Sequence, residues 1–141
     1  MFRISRRLDY GVQLMVALAN EDKNTPKPTA QLAESLNIPL PFLHQIGHTL
    51  MQAGLIKASP GPRGGLRLNQ EAEEITLLRI SESLEGPICL NSCLSASEEC
   101  EKYEECSSKH MWSNLQDQII SYLGQVTLAS LCEYSLVEEK E

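Results

Sequence analysis

Four of the five cysteines in the sequence fall within one stretch rich in Ser, Asn and Glu. They are Cys89, Cys93, Cys100 and Cys106, and His110 follows four residues after the last of them. Thiolates are soft ligands that select iron–sulfur clusters, zinc or copper(I). No long apolar run accompanies these cysteines, so burial as small hydrophobic residues explains them poorly. The stretch therefore predicts a metal centre or a set of reactive thiols.

The gaps between the last three cysteines are wide. Six residues separate Cys93 from Cys100, and five separate Cys100 from Cys106. Structural zinc sites usually pair their cysteines across a gap of roughly two to four residues. An iron–sulfur cluster accommodates wider gaps, and three Cys with one other ligand is a variation on the four-Cys scheme. We therefore rank an iron–sulfur cluster above zinc. Cys132 lies in a later amphipathic segment and is most simply a small packed residue.

The composition indicates a cytoplasmic protein with a basic first half. No apolar run is long enough to span a bilayer and no signal-peptide pattern opens the sequence, so we expect a reducing compartment, no membrane partner and few disulfides. The net charge is −7. Residues 1–70 carry eight Lys/Arg and four Asp/Glu, whereas residues 71–141 carry four and fifteen. A basic face that attracts phosphates is compatible with that total.

The first half of the chain predicts a helix-turn-helix. Leu8, Val12, Met15 and Ala19 recur at helical spacing, which predicts a first helix over residues 5–20. Thr29 is expected to cap a second helix over residues 30–36. A turn at Asn37-Ile38-Pro39 then leads into a third helix, which has Pro41 in its first turn and ends near residue 53. Two helices joined by a tight turn at this spacing are typical of DNA-binding proteins.

The third helix has two different faces. Its inward stripe is predicted to be Leu43, Ile46, Gly47 and Leu50. The outward face carries side chains that can hydrogen-bond base edges in a major groove, namely His44, Gln45, His48 and Thr49. A solvated surface is the alternative interpretation of those four residues.

The segment after the helix-turn-helix predicts a wing. Two short strands are expected at residues 55–58 and 66–68, joined by a turn rich in Pro and Gly. Arg63 at the tip suits a narrow minor groove, although a solvated arginine is equally compatible. Arg6 and Arg7, at the start of the first helix, are predicted to contact DNA phosphates.

The second half predicts a cysteine segment followed by a long helix. Thr76 should cap a helix that ends at Gly86. From Ser107, apolar residues recur at helical spacing for roughly twenty residues. So long a helix in so small a chain is expected to pack on a second copy, with packing inside one chain as the alternative. Thr127 is expected to cap a last helix over residues 128–133.

The fold is thus predicted to be mainly α, with a two-stranded wing and a long C-terminal dimerisation helix. Residues 1–86 are expected to form the DNA-binding region, 87–106 the cysteine loop and 107–135 the dimerisation region of a single domain.

Together these motifs resemble the Rrf-type winged-helix regulators, including their IscR-like and NsrR-like iron–sulfur members. The resemblance covers residues 3–135. It rests on the sequences Leu8-Asp9-Tyr10-Gly11, Ala53-Gly54-Leu55, Gly61-Pro62-Arg63-Gly64-Gly65-Leu66-Arg67-Leu68 and Leu84-Glu85-Gly86-Pro87, with the three-Cys loop, Trp112 and Thr127-Leu128.

The resemblance implies a homodimer that binds double-stranded DNA and holds an iron–sulfur cluster on Cys93, Cys100 and Cys106. NsrR-like members take their fourth ligand from an Asp in the first helix of the partner, and that position corresponds to Asp9. IscR-like members use a His three residues after the last Cys, where this chain has Lys109, followed by His110. Asp9 is therefore the preferred ligand, with His110 and Cys89 as alternatives. A two-iron and a four-iron cluster both remain open.

The sequence thus predicts a transcription regulator, most simply a repressor, that senses redox state, nitric oxide or iron–sulfur status. One alternative is a metal-free thiol-redox regulator. Another is a regulatory module that binds a protein partner. The sequence contains no arrangement typical of an enzyme site, such as a phosphate-binding Gly-rich loop or a zinc protease motif.

Overall fold

A computed structural model describes residues 3–22, 24–91, 94 and 107–138 of the chain. These residues form the helices and strands α1 (Arg6–Ala19), α2 (Thr29–Leu36), α3 (Leu40–Gln52), β1 (Ile56–Ser59), β2 (Gly65–Leu68), α4 (Leu77–Glu85), α5 (Ser107–Gln125) and α6 (Leu128–Glu138). The predicted mainly helical fold with a two-stranded wing is confirmed.

The helix-turn-helix forms for local reasons. Ser5 caps α1, because its Oγ accepts a hydrogen bond from the Leu8 N–H at 3.1 Å. Asn37 ends α2 in the left-handed conformation, with φ of 56°, which Asn tolerates better than most residues. Thr29 was predicted to cap α2, and this is wrong. It is the first helical residue, and Pro28 in the cap position provides no side-chain hydrogen bond.

Apolar residues from every described helix except α5 meet in one core. The inward stripe of α3 is the predicted one, because Leu43, Ile46, Gly47 and Leu50 are its buried residues. They pack with Leu14 and Met15 of α1, and Ile75 and Leu128 contribute fully buried side chains from the second half. The outward face of α3 is thus positioned by the inward face, which packs against α1.

The wing is a short antiparallel hairpin. Ile56 pairs with Leu68, and Lys57 pairs with Arg67. Side chains alternate across a strand, so Leu66 and Leu68 enter the core while Arg67 lies on the outer face.

The C-terminal helices attach at the start of α4. Thr76 caps α4 by accepting from the Arg79 N–H at 3.1 Å, as predicted. The Leu77 N–H donates to the Val126 carbonyl and the Leu128 N–H donates to the Ile75 carbonyl, both at 2.8 Å. α6 runs to Glu138 and is longer than the predicted segment over residues 128–133.

The long helix α5 is a surface helix in the single chain. None of its residues is buried, and Met111 and Tyr122 are 55% and 65% exposed. Within the described residues, no helix is both long enough and apolar enough to cross a membrane.

Candidate DNA-binding surface and sensor segment

The outward face of α3 presents polar side chains on a fixed backbone. His44, Gln45 and His48 are exposed, while Thr49 is half-buried. His44 and His48 are one helical turn apart and therefore lie on the same face. Three of the four predicted base-reading side chains are thus accessible from one side of the molecule.

Thr49 instead bonds to Arg7, another residue predicted to contact DNA. The Arg7 Nη2 donates to Thr49 Oγ1 at 2.9 Å, and the hydroxyl of Thr49 donates to the Gln45 carbonyl at 3.1 Å. The Arg7 Nε also donates to the Leu84 carbonyl at 3.2 Å. Arg6, its neighbour, is exposed. The two arginines predicted to contact phosphates therefore lie in different surroundings.

The wing adds further positive charge. Arg63 is exposed in the turn, where the Gly64 N–H donates to the Gly61 carbonyl at 3.0 Å. Lys57 and Arg67 pair across the strands on the outer face. The Nε of Arg67 is buried and has no hydrogen-bond partner within the part of the chain that the structure describes. Lys57 and Arg67 were not among the predicted DNA contacts, although the alternation of the strands could have placed both on one face of the wing.

A cleft of about 440 Å³ lies at the junction of α1, α4 and α5. Ile4, Leu8, Ile119 and Leu123 provide apolar walls, and Cys89 lies at its edge. A second cleft, of about 350 Å³, separates the recognition helix from the wing. His44 borders it on α3, and Ser59 and Pro62 border it on the wing. Helix and wing thus flank one concave surface.

The predicted cluster ligands are described only in part. Cys93, Cys100 and Cys106 lie outside the described residues. Asp9 is exposed on α1, and its Oδ2 accepts a hydrogen bond from Gln13 Nε2 at 3.0 Å. Because an exposed carboxylate can exchange a neutral amide donor for a metal ion, Asp9 fits the role of an oxygen ligand supplied to a thiolate-bound cluster.

The alternative ligands are also at the surface. Cys89 is exposed and its thiol donates to the Asn91 carbonyl at 2.9 Å, while His110 is exposed in the first turn of α5. Among the described residues, His, Cys, Asp and Glu do not gather in threes as a metal site requires. Burial raises the pKa of the Cys132 thiol above its ordinary value.

The segment before the cysteines is joined to α1 at two points. Arg7 binds the Leu84 carbonyl, and the Ser5 hydroxyl contacts the Glu85 carboxylate. Gly11 lies where α1 approaches α4 closely, since a Cβ there would lie 2.2 Å from Leu84 Cδ1 and 3.6 Å from Ile46 Cγ2. α1 therefore contacts both α4 and the recognition helix through one face.

Comparisons with known proteins agree with this geometry. The profile of the Rrf2 family, described as an iron-dependent transcriptional regulator, matches residues 4–134. The HTH-type transcriptional regulator IscR of Photobacterium profundum is 27% identical over 97% of this chain and 79% of its own length.

Two solved structures are similar to the chain over most of both lengths. CymR of B. subtilis, described as the global cysteine regulator, has a TM-score of 0.80 and 30% identity, covering 95% of this chain and 98% of CymR. The oxidized form of Staphylococcus aureus CymR has a TM-score of 0.76 and 31% identity, covering 94% and 98%. These relatives are transcriptional regulators, not enzymes.

Proposed function

The chain belongs to the Rrf2 family of DNA-binding transcription regulators, and on that premise we propose that it is a homodimeric repressor, located in the cytoplasm, whose DNA affinity is set by an iron–sulfur cluster. One observation carries the DNA-binding part. The exposed face of α3 and the wing flank the same concave surface, which supports contact of both with one duplex.

Each DNA contact in the proposal follows from the chemistry of the exposed side chains. His44, Gln45 and His48 hydrogen-bond base edges in the major groove. Arg63 enters the adjacent minor groove, and Arg6 contacts a phosphate. α3 itself carries no Lys or Arg, so flanking residues supply the attraction to phosphate.

A second copy of the chain covers α5 in this proposal. A helix of 19 residues with no buried side chain contributes little to the core of one chain. Met111 and Tyr122 are large hydrophobic side chains that lie mostly in solvent. Packing two such helices together would remove this apolar surface from water.

The cluster would be held by Cys93, Cys100 and Cys106 of one subunit and by Asp9 of the partner subunit. When bound, an iron–sulfur cluster supplies a centre that changes its ligands or charge on oxidation or nitrosylation. The exposure of Asp9 supports its role, because a ligand to another subunit must lie at the surface. An Asp9 ligand would join the sensor segment of one subunit directly to the first helix of the other.

A metal-free thiol regulator is the second candidate. The similarity to CymR, one form of which is described as oxidized, favours it. In that case Cys93, Cys100 or Cys106 would themselves be oxidised, and their oxidation would alter DNA affinity.

Anaerobic purification separates the two candidates. We expect a coloured protein that contains iron and acid-labile sulfide and loses both when Cys93, Cys100 or Cys106 is replaced by Ser. Cys132→Ser is the matched control and should retain the cluster. A colourless protein with titratable thiols and no iron after anaerobic reconstitution would contradict the cluster and favour the thiol mechanism.

The fourth ligand is tested in the same preparation. Asp9→Ala should change the visible spectrum and shorten the lifetime of the cluster in air, while His110→Ala and Cys89→Ser should leave both as they are. An unchanged spectrum and lifetime in Asp9→Ala would exclude Asp9 as the ligand.

A further inference from the structure

The side chain of Arg7 joins the recognition helix to the end of the helix that precedes the cysteine segment. Its Nη2 donates to Thr49 Oγ1 of α3 at 2.9 Å, and its Nε donates to the Leu84 carbonyl of α4 at 3.2 Å. These two partners are separated from Arg7 by 42 and 77 residues along the chain. One guanidinium therefore links three helices.

The bond to Leu84 stabilises the end of α4. The Leu84 carbonyl belongs to the last turn of that helix, where carbonyl groups lack partners within the helix. The partial negative charge at a helix C-terminus also favours a cation. Directly beyond it, Gly86 adopts a φ of 80° and the chain turns toward the cysteine segment. Arg7 thus holds the point from which that segment departs.

The bond to Thr49 reaches the face that would read DNA. Thr49 lies one turn after Gln45, and its hydroxyl donates its only hydrogen to the Gln45 carbonyl. Thr49 is half-buried while Gln45 is exposed. A displacement of the Arg7 head group therefore acts on the backbone of α3 beneath an exposed, base-facing side chain.

The guanidinium makes these two bonds interdependent. It is a planar, rigid group whose N–H donors have fixed relative directions. A shift of the Leu84 carbonyl must break one bond or carry Thr49 with it. Lys has no such fork, and its single ammonium on a flexible stem would not tie the two partners together.

We propose that Arg7 is a positioning residue that couples the end of α4 to the recognition helix, and that it does not contact DNA phosphate. The proposal rests on the proposed function, in which the chain following α4 is the sensor and α3 reads DNA. It assigns Thr49 the same role, as the acceptor through which Arg7 acts. Arg6, exposed one residue earlier, remains the candidate phosphate contact.

The salt dependence of DNA binding separates the two roles of an arginine. Removing one phosphate contact reduces the slope of log affinity against log salt by about one. We expect Arg7→Gln to weaken binding to DNA selected from a random pool by the unmodified protein, with the slope unchanged. Arg6→Gln is the matched control, and its slope should fall by about one. A fall of the same size in Arg7→Gln would overturn the proposal.

The Thr49 variants test the bridge if Arg7→Gln fails to fold. Thr49→Val keeps the shape of the side chain and removes the hydroxyl, while Thr49→Ser keeps the hydroxyl. We expect Thr49→Val to weaken DNA binding about threefold to tenfold. Thr49→Ser should bind DNA as the unmodified protein does. Thr49→Val is then combined with Arg7→Lys. If both substitutions break the same bridge, the double variant should bind DNA no more weakly than the more weakly binding of the two single variants. Additive effects would contradict the bridge.

The outcome can be distinguished from a failure of the proposed function. The salt slopes and the double-variant comparison are measured in whichever state of the protein binds DNA more tightly, so they do not depend on whether a cluster forms. With reconstituted protein, Thr49→Val should also reduce the ratio of the DNA affinities of the cluster-bound and cluster-free states about threefold or more. An unchanged ratio would contradict the coupling role. No DNA binding by the unmodified chain would contradict the proposed function itself.

Discussion

Lys27 and Leu66 exchange both of their backbone hydrogen bonds, at 2.9 and 2.8 Å. The second strand of the wing therefore pairs with the segment before α2 as well as with β1. Because Lys27 lies two residues before α2, this pairing fixes the wing relative to the helix-turn-helix. β2 is therefore paired along one edge with β1 and bridged at the other edge by Lys27, so the wing is not a free hairpin.

Replacing Gly65 should disturb this attachment. A Cβ at Gly65 would lie 1.9 Å from the Lys27 carbonyl oxygen, which belongs to the backbone and cannot turn aside. We expect Gly65→Ala to destabilise the fold by about 1–3 kcal/mol and to weaken DNA binding. Urea unfolding and fluorescence anisotropy with labelled DNA measure the two effects.

Gly61→Ala is the control, because Gly61 also has a positive φ but has open space around it. Its cost should be about 1 kcal/mol. Equal costs for the two variants would exclude the steric explanation.

Replacing Gly11 should destabilise the protein despite a gain in helix propensity. Gly to Ala within a helix ordinarily stabilises by about 0.5–1 kcal/mol. At Gly11 the added carbon would lie 2.2 Å from Leu84 Cδ1, and Leu84 is buried. We expect a net loss of about 1–3 kcal/mol in thermal or urea unfolding.

Gly47→Ala is the matched control for this prediction. Gly47 is also a buried helical glycine, but its Cβ would lie at an ordinary 3.5 Å from Leu66 Cδ1. This variant should be as stable as the unmodified protein or more stable. A stabilised Gly11→Ala would show that α1 and α4 can move apart at no cost.

Replacing Gln45 and replacing Arg63 should change DNA binding in different ways. In the proposed function Gln45 reads a base, so Gln45→Ala should cost about 1–3 kcal/mol against the preferred base and relax the choice at that position. Arg63→Ala should weaken binding to all sequences and reduce the salt slope by about one. Selection from a random DNA pool, followed by titration at several salt concentrations, measures both. A salt slope that falls in Gln45→Ala, or stays constant in Arg63→Ala, would contradict these assignments.

The two described cysteines should differ in reactivity. Burial raises the pKa of the Cys132 thiol, so little thiolate forms there at neutral pH, whereas Cys89 is exposed. In cluster-free protein at pH 7, iodoacetamide should modify Cys89 several-fold faster than Cys132. Because burial raises the pKa of Cys132, its rate should rise only at a pH above the ordinary pKa of a thiol. Peptide mapping by mass spectrometry measures the two rates. Equal rates at neutral pH would contradict the effect of burial.

The sequence predicts best what local rules determine. The inward stripe of α3 follows from the spacing of Leu43, Ile46 and Leu50, and the caps at Ser5 and Thr76 follow from residue type. The prediction of a cap at Thr29 was wrong, because the residue type suits a cap but Pro28 already occupies the cap position. The extension of α6 to Glu138 was missed, although Leu136 continues the helical spacing of Leu128 and Cys132.

The long-range contacts were beyond such rules. Arg7 was predicted to contact phosphate because its charge suits that role. Nothing in the sequence around Arg7 indicates a contact with Leu84 or Thr49. The pairing of Lys27 with Leu66 is a single bridge beside Pro28, with no strand pattern to predict it. Residues 93, 100 and 106 remain predicted ligands on the basis of their type, spacing and family resemblance.

DNA affinity in two cluster states tests the central claim most directly. The anaerobically reconstituted protein and the same preparation stripped of its cluster are titrated against one selected duplex at one salt concentration. If the cluster controls DNA binding, the two Kd values should differ by about tenfold or more, which corresponds to about 1.4 kcal/mol of coupling. Equal Kd values, in protein shown by iron and sulfide analysis to hold the cluster, would contradict it.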